Sequence, residues 1–142
     1  MLLKNTKSNA IALGLLFLMG SSLFLGNFWK YDKGIAQGWD ASLAHLPYHK
    51  LRAQALAYLE IQAIPLEQVG TVFPEVGQRK FRALNGQEEG FKLADLGSDS
   101  YIFYASVMND FSEEARYELE TKWSIEQQWE SFGIEVILYK RP

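Results

Sequence analysis

Residues 101–108 read YIFYASVM, and only Ser106 interrupts the run of apolar side chains. A strand with one face in water alternates apolar and polar residues, whereas a strand covered on both faces does not. The stretch therefore predicts a central strand with protein on each side. It places a β-sheet at the middle of the fold.

The residues that follow this strand predict a helix. Residues 109–114 read NDFSEE, in which Asp110 or Ser112 is suited to accept the free amides of a first helical turn. Glu113 and Glu114 would lie at the positive end of that helix. We expect the helix to continue to about Thr121.

The last twenty residues predict a β-hairpin. Residues 123–132 alternate, with one face made by Trp123, Ile125, Gln127 and Trp129. Gly133 permits a tight turn into a second strand, Ile134 to Lys140. The order strand, helix, strand, strand predicts a crossover followed by a hairpin.

The middle of the chain predicts one further helix and several strands. Pro47 to Ala63 forms a helix that ends before Ile64-Pro65, because a residue that precedes proline resists helical angles. Its predicted buried stripe is Leu51, Ala55, Tyr58, Leu59 and Gln62. The predicted strands are a short buried one at Val69 to Phe73 and an edge strand at Lys80 to Leu84, while Phe91 to Asp95 fits more than one state.

The N-terminal region predicts a transmembrane helix. Residues 8–29 contain no charged side chain, and 22 residues of helix extend about 33 Å, enough for a hydrocarbon core of about 30 Å. Phe28, Trp29 and Tyr31 suit the membrane–water interface. A cleaved signal peptide and a buried core helix are the alternatives. Two lysines on each side of the segment leave its orientation open.

Length and charge limit the classes of protein. The 142 residues suit one small domain behind the membrane segment, and the lack of cysteine excludes disulfides and thiolate chemistry. The first 29 residues hold two lysines and no acid, so the remaining 113 carry a net charge of −5. This charge argues against nucleic acid as a partner.

The predicted fold class is α/β or α+β, a small mixed-sheet sandwich behind one N-terminal transmembrane helix. Residues 1–30 form that helix, residues 31–46 a juxtamembrane element, and residues 47–142 a small extracytoplasmic domain. Within the juxtamembrane element, Asp40 is placed to cap a helical turn.

The two histidines are the first candidates for chemistry. His45 and His49 have the i, i+4 spacing of helical metal ligands, but Pro47 lies between them. Asp40 or Glu60 would complete a ligand set only through tertiary proximity. We therefore predict no metal site.

Other chemical candidates fit structural roles better. The pairs Glu88-Glu89 and Glu113-Glu114 are adjacent rather than held across a cleft, as a glycosidase needs. Gly70 and Gly77 lack the spacing of a phosphate loop. The hydroxyl residues Thr71, Ser106 and Ser112 lack a nucleophile motif, and the strand aromatics suit a core better than a sugar platform: Tyr101, Phe103, Tyr104, Trp123, Trp129, Phe132 and Tyr139. We predict no catalytic, cofactor-binding or metal-binding residue.

From Gly34 onward the chain resembles the extracytoplasmic C-terminal tail of bacterial GT-C-type, polyprenol-phosphate-sugar-dependent glycosyltransferases. The matching segments are Gly38-Trp39-Asp40, residues 46–50 (LPYHK), 69–74 (VGTVFP), 101–112 (YIFYASVMNDFS) and 136–140 (VILYK). The resemblance implies that residues 8–29 form the last transmembrane helix of such an enzyme. The family's catalytic carboxylate lies in an early loop, so the resemblance assigns no catalytic residue here.

These observations predict a membrane-tethered, non-catalytic C-terminal or accessory domain of a GT-C-type system, either part of a longer enzyme or separately encoded. The expected location is the bacterial inner membrane, with a single pass and a periplasmic domain. The expected partners are the lipid bilayer and a multi-helix membrane protein. The alternatives are a free-standing single-pass envelope protein that binds a protein partner and a small metal-dependent hydrolase using His45 and His49.

Overall fold

The computed structural model describes residues 4–26, 46–83, 86, 88–107 and 110–142. In chain order the elements are α1 (Lys4–Gly26), α2 (Leu46–Ile61), β1 (Val69–Thr71), β2 (Gly77–Gln78), α3 (Lys80–Ala83), β3 (Gly90–Leu93), β4 (Tyr101–Ala105), α4 (Glu113–Lys122), β5 (Ser124–Ser131) and β6 (Ile134–Lys140). We call residues 46–142 the sheet domain.

A mixed six-stranded sheet forms the sheet domain, in the order β2-β3-β1-β4-β6-β5. Strand β1 is parallel to β3 and β4, while β6 is antiparallel to β4 and β5, and β2 is antiparallel to β3. The crossover through α4 leads to β5, and the hairpin then returns β6 into the gap beside β4. The predicted α+β architecture with one candidate transmembrane helix is confirmed.

Helix α2 covers one face of the sheet. Its buried side chains are Tyr48, Leu51, Ala55 and Leu59. Three of the five residues of the predicted stripe are thus buried, Tyr58 is half-buried, and the prediction for Gln62 is wrong, because the helix ends at Ile61 and Gln62 is exposed. The buried side chains pack with Phe103 of β4 and with Leu138 of β6. Each fully buried aliphatic side chain contributes about 1.5–3 kcal/mol, so this contact fixes α2 on the sheet.

Helix α4 covers the opposite face. Leu119 is its one buried residue, and it packs with Ile102 and Tyr104 of β4 and with Ile137 of β6. Neighbouring residues of β4 thus enter different cores, which confirms the prediction of a strand covered on both sides. The strand ends at Ala105, earlier than the predicted Met108, a residue outside the described ranges.

The prediction for the two ends of α4 and for the hairpin turn is confirmed. Ser112 is the N-cap, and its hydroxyl accepts the amide of Ala115 at 3.2 Å. Phe132 and Gly133 both have positive φ, 51° and 75°, which is typical of a two-residue type I′ turn. Gly133 adopts this conformation without a steric penalty, whereas Phe132 does not.

The prediction that one face of β5 carries Trp123, Ile125, Gln127 and Trp129 is wrong. A bulge between Ile125 and Gln127 makes Glu126 an extra residue in the register with β6. Ile125 lies opposite Tyr139, on the α4 side, whereas Trp129 lies opposite Val136, on the α2 side. The extra residue reverses the alternation that the sequence suggests.

The predicted edge strand at Lys80 to Leu84 is also wrong. Residues Lys80–Ala83 form the helical turn α3, and Leu84 lies outside the described ranges. The edge position belongs instead to β2, which pairs with β3. Phe81 is 74% exposed. Its apolar side chain therefore does not mark the buried face of a strand, as the alternation with Lys80 suggested.

Helix α1 stands apart from the cores of the sheet domain. Its segment Asn9–Gly26 has mean hydropathy 1.8, and none of it is buried. The alternative of a buried core helix is therefore wrong. The predicted interfacial aromatics and the juxtamembrane element with Asp40 lie outside the described residues.

Candidate functional site

The carboxyl ends of parallel strands are the usual ligand-binding edge of a mixed α/β sheet, and β3, β1 and β4 end together here. The loop after β1 crosses this edge. It contains Phe73, Pro74 and Glu75, and the Phe73-Pro74 peptide bond is cis. Phe73 is 60% exposed, whereas Glu75 is only 4% exposed. The same loop therefore presents an aromatic side chain to solvent and a carboxylate to the interior.

Two side chains from the first turns of α2 bind the Glu75 carboxylate. The Tyr48 hydroxyl donates to Oε1 at 2.6 Å, and the Arg52 Nε donates to Oε2 at 2.7 Å. Tyr48 and Arg52 are four residues apart, so one helix face supplies both groups. We call these three residues the Glu75 cluster.

The space beside the Glu75 cluster is small. A cavity of ≈ 10 Å³ is lined by residues that include Thr71, Phe103 and Phe111. That volume is about what one water molecule needs. The Thr71 hydroxyl donates to the Phe103 carbonyl oxygen at 2.9 Å and so links β1 to β4. The Glu75 cluster therefore joins α2 to the loop after β1. The cavity beside it is too small for a sugar or a nucleotide.

A second buried carboxylate, Asp99, lies on the α4 side of the sheet. It is 0% exposed, forms an ion pair with the Lys92 ammonium and accepts the Asp95 amide at 2.8 Å. Arg141 closes the same turn, because its guanidinium donates to the carbonyl oxygens of Leu96, Gly97 and Asp99. Asp99 thus holds the connection between β3 and β4.

The turn that contains Asp99 begins at Asp95. The Ser98 hydroxyl donates to the Asp95 carboxylate at 2.7 Å and the Gly97 amide donates at 2.9 Å. These two hydrogen bonds, the Ser98 one first, lower the pKa of Asp95. The charged Asp95 carboxylate therefore stabilises the turn through these hydrogen bonds.

The histidine pair, which the sequence analysis considered and did not predict to bind a metal, lies partly outside the described residues. His49 is exposed on α2, and Glu60 is exposed near the other end of the same helix. His45 and Asp40 lie outside the described ranges. Within those ranges, no three histidine or acidic side chains form a group that could hold a metal ion.

The adjacent glutamate pairs lie where the sequence analysis placed them. Glu88 is exposed and accepts from the Lys80 ammonium at 3.1 Å. Glu113 and Glu114 form the first turn of α4, where the backbone amide of Glu114 and the Ser112 hydroxyl lower the pKa of Glu114. These carboxylates act in solvation and capping.

The remaining candidates have structural partners. Ser106 accepts the Glu135 amide at 2.8 Å, and its own amide donates to the Glu135 carbonyl. The aromatics divide between the two faces and the turn: Phe103 and Trp129 lie on the α2 side, Tyr104, Trp123 and Tyr139 on the α4 side, and Phe132 in the hairpin turn. They form no single stacking platform.

Sequence reasoning missed the buried carboxylates Glu75 and Asp99 and the half-buried Arg52 that pairs with Glu75. The signal for Glu75 is its position inside the apolar run Val72 to Val76. The signal for Asp99 is Gly70, a residue without a side chain in a buried strand. Neither signal says which partner neutralises the charge.

Comparison of the chain with protein-family models, with curated proteins and with solved structures yields no match. The resemblance to the tail of GT-C-type enzymes stays a prediction.

Proposed function

We propose that the chain is a membrane-tethered, non-catalytic C-terminal or accessory domain of a GT-C-type glycosyltransferase system. The observation that supports membrane tethering is the exposed apolar surface of α1. Its leucine and phenylalanine side chains are 58–78% exposed, and none of the segment Asn9–Gly26 is buried. Because apolar surface in water costs about 25 cal/mol per Å², lipid is the solvent that suits this helix.

The polar groups of α1 support the same proposal. The Ser22 hydroxyl donates to the Leu18 carbonyl oxygen at 2.8 Å, inside the helix itself. In a bilayer every polar group needs such an internal partner. A membrane-spanning α1 would therefore bury no unsatisfied serine at this position.

The contacts of the buried carboxylates support a structural role for these groups, as a non-catalytic domain requires. Glu75 is held by Tyr48 and Arg52, and Asp99 is held by Lys92 and the Asp95 amide. Groups held in this way connect elements of the fold. A general acid or base needs instead a position within reach of a substrate.

The link to GT-C-type enzymes rests on the resemblance. Two of the segments that carry it, residues 69–74 and 101–112, contribute β1 and β4, which are neighbouring strands. An extracytoplasmic, periplasmic position for the sheet domain is part of this proposal, with a multi-helix membrane protein as partner.

The full chain, purified and reconstituted in lipid vesicles, tests the proposal. It is assayed for sugar transfer from a polyprenol-phosphate-sugar donor, alone and after co-reconstitution with a GT-C-type enzyme from the same cell. We expect no transfer by the chain alone and a change in the rate or affinity of the enzyme when the chain is present. Transfer by the chain alone would contradict the proposal.

A second candidate is a free-standing single-pass envelope protein that binds a protein partner. The observation that favours it is the outer edge of β5, which no other described strand covers. The mass of the native polypeptide in cell membranes, together with the proteins that co-purify with it, separates the candidates. A long product with several further helices indicates a domain of an enzyme and contradicts the second candidate. For a product of about 16.2 kDa, co-purification with a GT-C-type enzyme indicates a separately encoded accessory domain, and co-purification with a different protein indicates the second candidate.

A further inference from the structure

The outer edge of β5 is a long row of backbone groups. Strand β5 has eight residues and is the last strand of the sheet, paired among the described strands only with β6. Edge strands usually carry lysine, proline or an inward charge that prevents further pairing. Strand β5 contains no lysine and no proline, and its half-buried charge, Glu126, lies at the bulge and pairs with Lys140. Its bulge lies near its start, and the register from Gln127 to Ser131 is regular.

The hydrogen bonds of β6 show which groups of β5 face outward. The Glu135 amide and carbonyl bond to Ser106, on the side of β4. In an antiparallel pair the residue opposite Glu135 then directs its own amide and carbonyl away from β6. That residue is Glu130, and by alternation Gln128 is oriented in the same way.

The neighbouring pairs agree with this assignment. Ser131 and Ile134 flank the two-residue turn, and such a turn is closed by a hydrogen-bonded pair. The Gln127 side-chain amide donates to the Gln128 carbonyl at 3.4 Å, which agrees with a carbonyl that does not bond to β6. Gln128 and Glu130 therefore direct two amides and two carbonyls toward an incoming strand, and the Gln128 carbonyl also accepts from the Gln127 side chain.

The negative charge of the residues around β5 indicates which kind of segment would bind its outer edge. Residues 110–142 contain eight acidic and four basic side chains, a net charge of −4, while residues 46–107 contain seven acidic and six basic ones. Glu130 lies directly opposite Glu135 on the α4 side of the sheet, and like charges in that position repel. A second copy of the chain would bring the same acidic surface. A basic segment would neutralise it.

The two faces of the edge differ in polarity. Trp129 lies on the α2 side, where its ring contacts Tyr58 with centroids 5.6 Å apart. Glu130 lies on the α4 side. Phe132, 83% exposed, ends the edge with an apolar side chain. An incoming strand with cations on one face and β-branched residues on the other matches this edge.

We propose that the outer edge of β5 binds an extended protein segment with lysine or arginine at alternate positions, which adds a seventh strand beside Gln128 and Glu130. This inference rests on the proposed role as a partner-binding domain and names how the partner is bound. Main-chain hydrogen bonds supply the affinity and the alternating cations supply the selectivity.

The test uses the full chain in nanodiscs of zwitterionic phosphatidylcholine and a fluorescent eight-residue peptide of alternating lysine and valine. The zwitterionic lipid prevents attraction of the peptide by the membrane. We expect binding by fluorescence anisotropy that weakens with salt, and at least tenfold weaker binding of the same peptide with glutamate in place of lysine. Absence of binding, or equal binding of the acidic peptide, would overturn the proposal.

A matched pair of variants locates the binding at the edge. Gln128→Pro removes the outward amide without removing a bond to β6, whereas Gln128→Thr keeps the amide and suits a strand. We expect at least a tenfold loss of affinity for Gln128→Pro and less than a twofold change for Gln128→Thr. Equal affinities of the two variants would contradict binding by strand addition.

Hydrogen exchange of the unaltered chain tests the same binding without the proline variant, which could misfold. The amides of Gln128 and Glu130 should exchange rapidly without the peptide and slowly with it. Protection in the absence of peptide, or no added protection, would overturn the proposal. Membrane integration of α1 is measured separately. A negative peptide-binding result would therefore overturn binding at the β5 edge without contradicting the membrane tether or a different partner-binding surface.

Discussion

The carboxylate of Asp99 lies against the backbone of Gly70, in the space that a β-carbon at position 70 would occupy. The same β-carbon would crowd the Ala94 backbone and the Ile102 side chain. Gly70 is thus the residue that allows a charged group to be buried on the α4 side of the sheet.

Gly70→Ala should lower the free energy of unfolding by about 3 kcal/mol or more, because the new methyl group displaces a buried carboxylate from its cation. Urea unfolding followed by tryptophan fluorescence in detergent micelles measures the change. The same substitution in an Asp99→Ala background should cost at least about 1 kcal/mol less, since the obstructing carboxylate is gone. Equal costs in both backgrounds would show that the two residues are not coupled.

Removal of the Tyr48 hydroxyl tests the Glu75 cluster. Tyr48→Phe should destabilise the sheet domain by about 2 kcal/mol, because a hydrogen bond to a buried charged group is lost. Arg52→Met should cost about 3 kcal/mol, because it removes the guanidinium that contacts the buried carboxylate of Glu75. In a Glu75→Gln background, the cost of Arg52→Met should fall below about 1 kcal/mol. A change of less than 0.5 kcal/mol for both single variants would contradict the structural role.

Burial, together with the nearby Tyr104, Glu120 and Glu135, raises the pKa of Tyr139 to about 12 from its ordinary value of 10.0. A raised pKa in the folded state adds stability below the unfolded pKa, and that stability is lost as the pH rises through the folded value. The free energy of unfolding should therefore fall between pH 10 and pH 12.

Tyr139→Phe is the control for this pH dependence. It should change the stability little at pH 8 and flatten the decline above pH 10 by about 1–2 kcal/mol relative to the unaltered chain. The comparison removes the contribution of the other tyrosines. The same decline in both proteins would assign the effect to a different group.

Phe132 has a positive φ of 51° and is 83% exposed. A bulky side chain in the left-handed region is strained, and asparagine is the residue that this position of a type I′ turn prefers. Phe132→Asn should raise the free energy of unfolding by about 0.5–1 kcal/mol, measured by urea unfolding. If the apolar side chain serves the β5 edge, the same variant should bind the lysine–valine peptide more weakly. A loss of stability would show that Phe132 has packing contacts of its own.

Much of the sheet domain follows from short-range signals. The stripe Leu51, Ala55 and Leu59 predicts α2, the hydroxyl of Ser112 predicts the start of α4, and Gly133 predicts the turn. Each signal depends on neighbours within a few residues. Such signals are read directly from the chain.

The wrong predictions for β5 and for Lys80 to Leu84 arise where residues distant in sequence determine the strand pairing. The bulge at Glu126 exists because the register on β6 shifts there, and alternation alone does not reveal such a shift. Lys80 to Ala83 alternate, yet the edge position beside β3 is taken by β2. In both cases the pairing partner, which the local pattern does not contain, determines the outcome.

The buried charges are the largest gap between sequence and site. Arg52 and Glu75 are 23 residues apart, and Lys92 and Asp99 meet across the turn between two strands. Because charged residues are mostly exposed, their types alone predict solvation. The predicted roles of the glutamate pairs in solvation and capping followed this rule and agree with the structure.

Because the chain contains no cysteine, introduced cysteines can report directly whether α1 crosses a lipid bilayer. Single-cysteine variants Leu16→Cys, within α1, and Ser100→Cys, at an exposed position of the sheet domain, are reconstituted in lipid vesicles and treated with a membrane-impermeant maleimide. We predict that Ser100→Cys reacts in intact vesicles, while Leu16→Cys reacts only after the vesicles are dissolved in SDS. Equal labelling of both cysteines in intact vesicles would show that α1 does not lie in the bilayer.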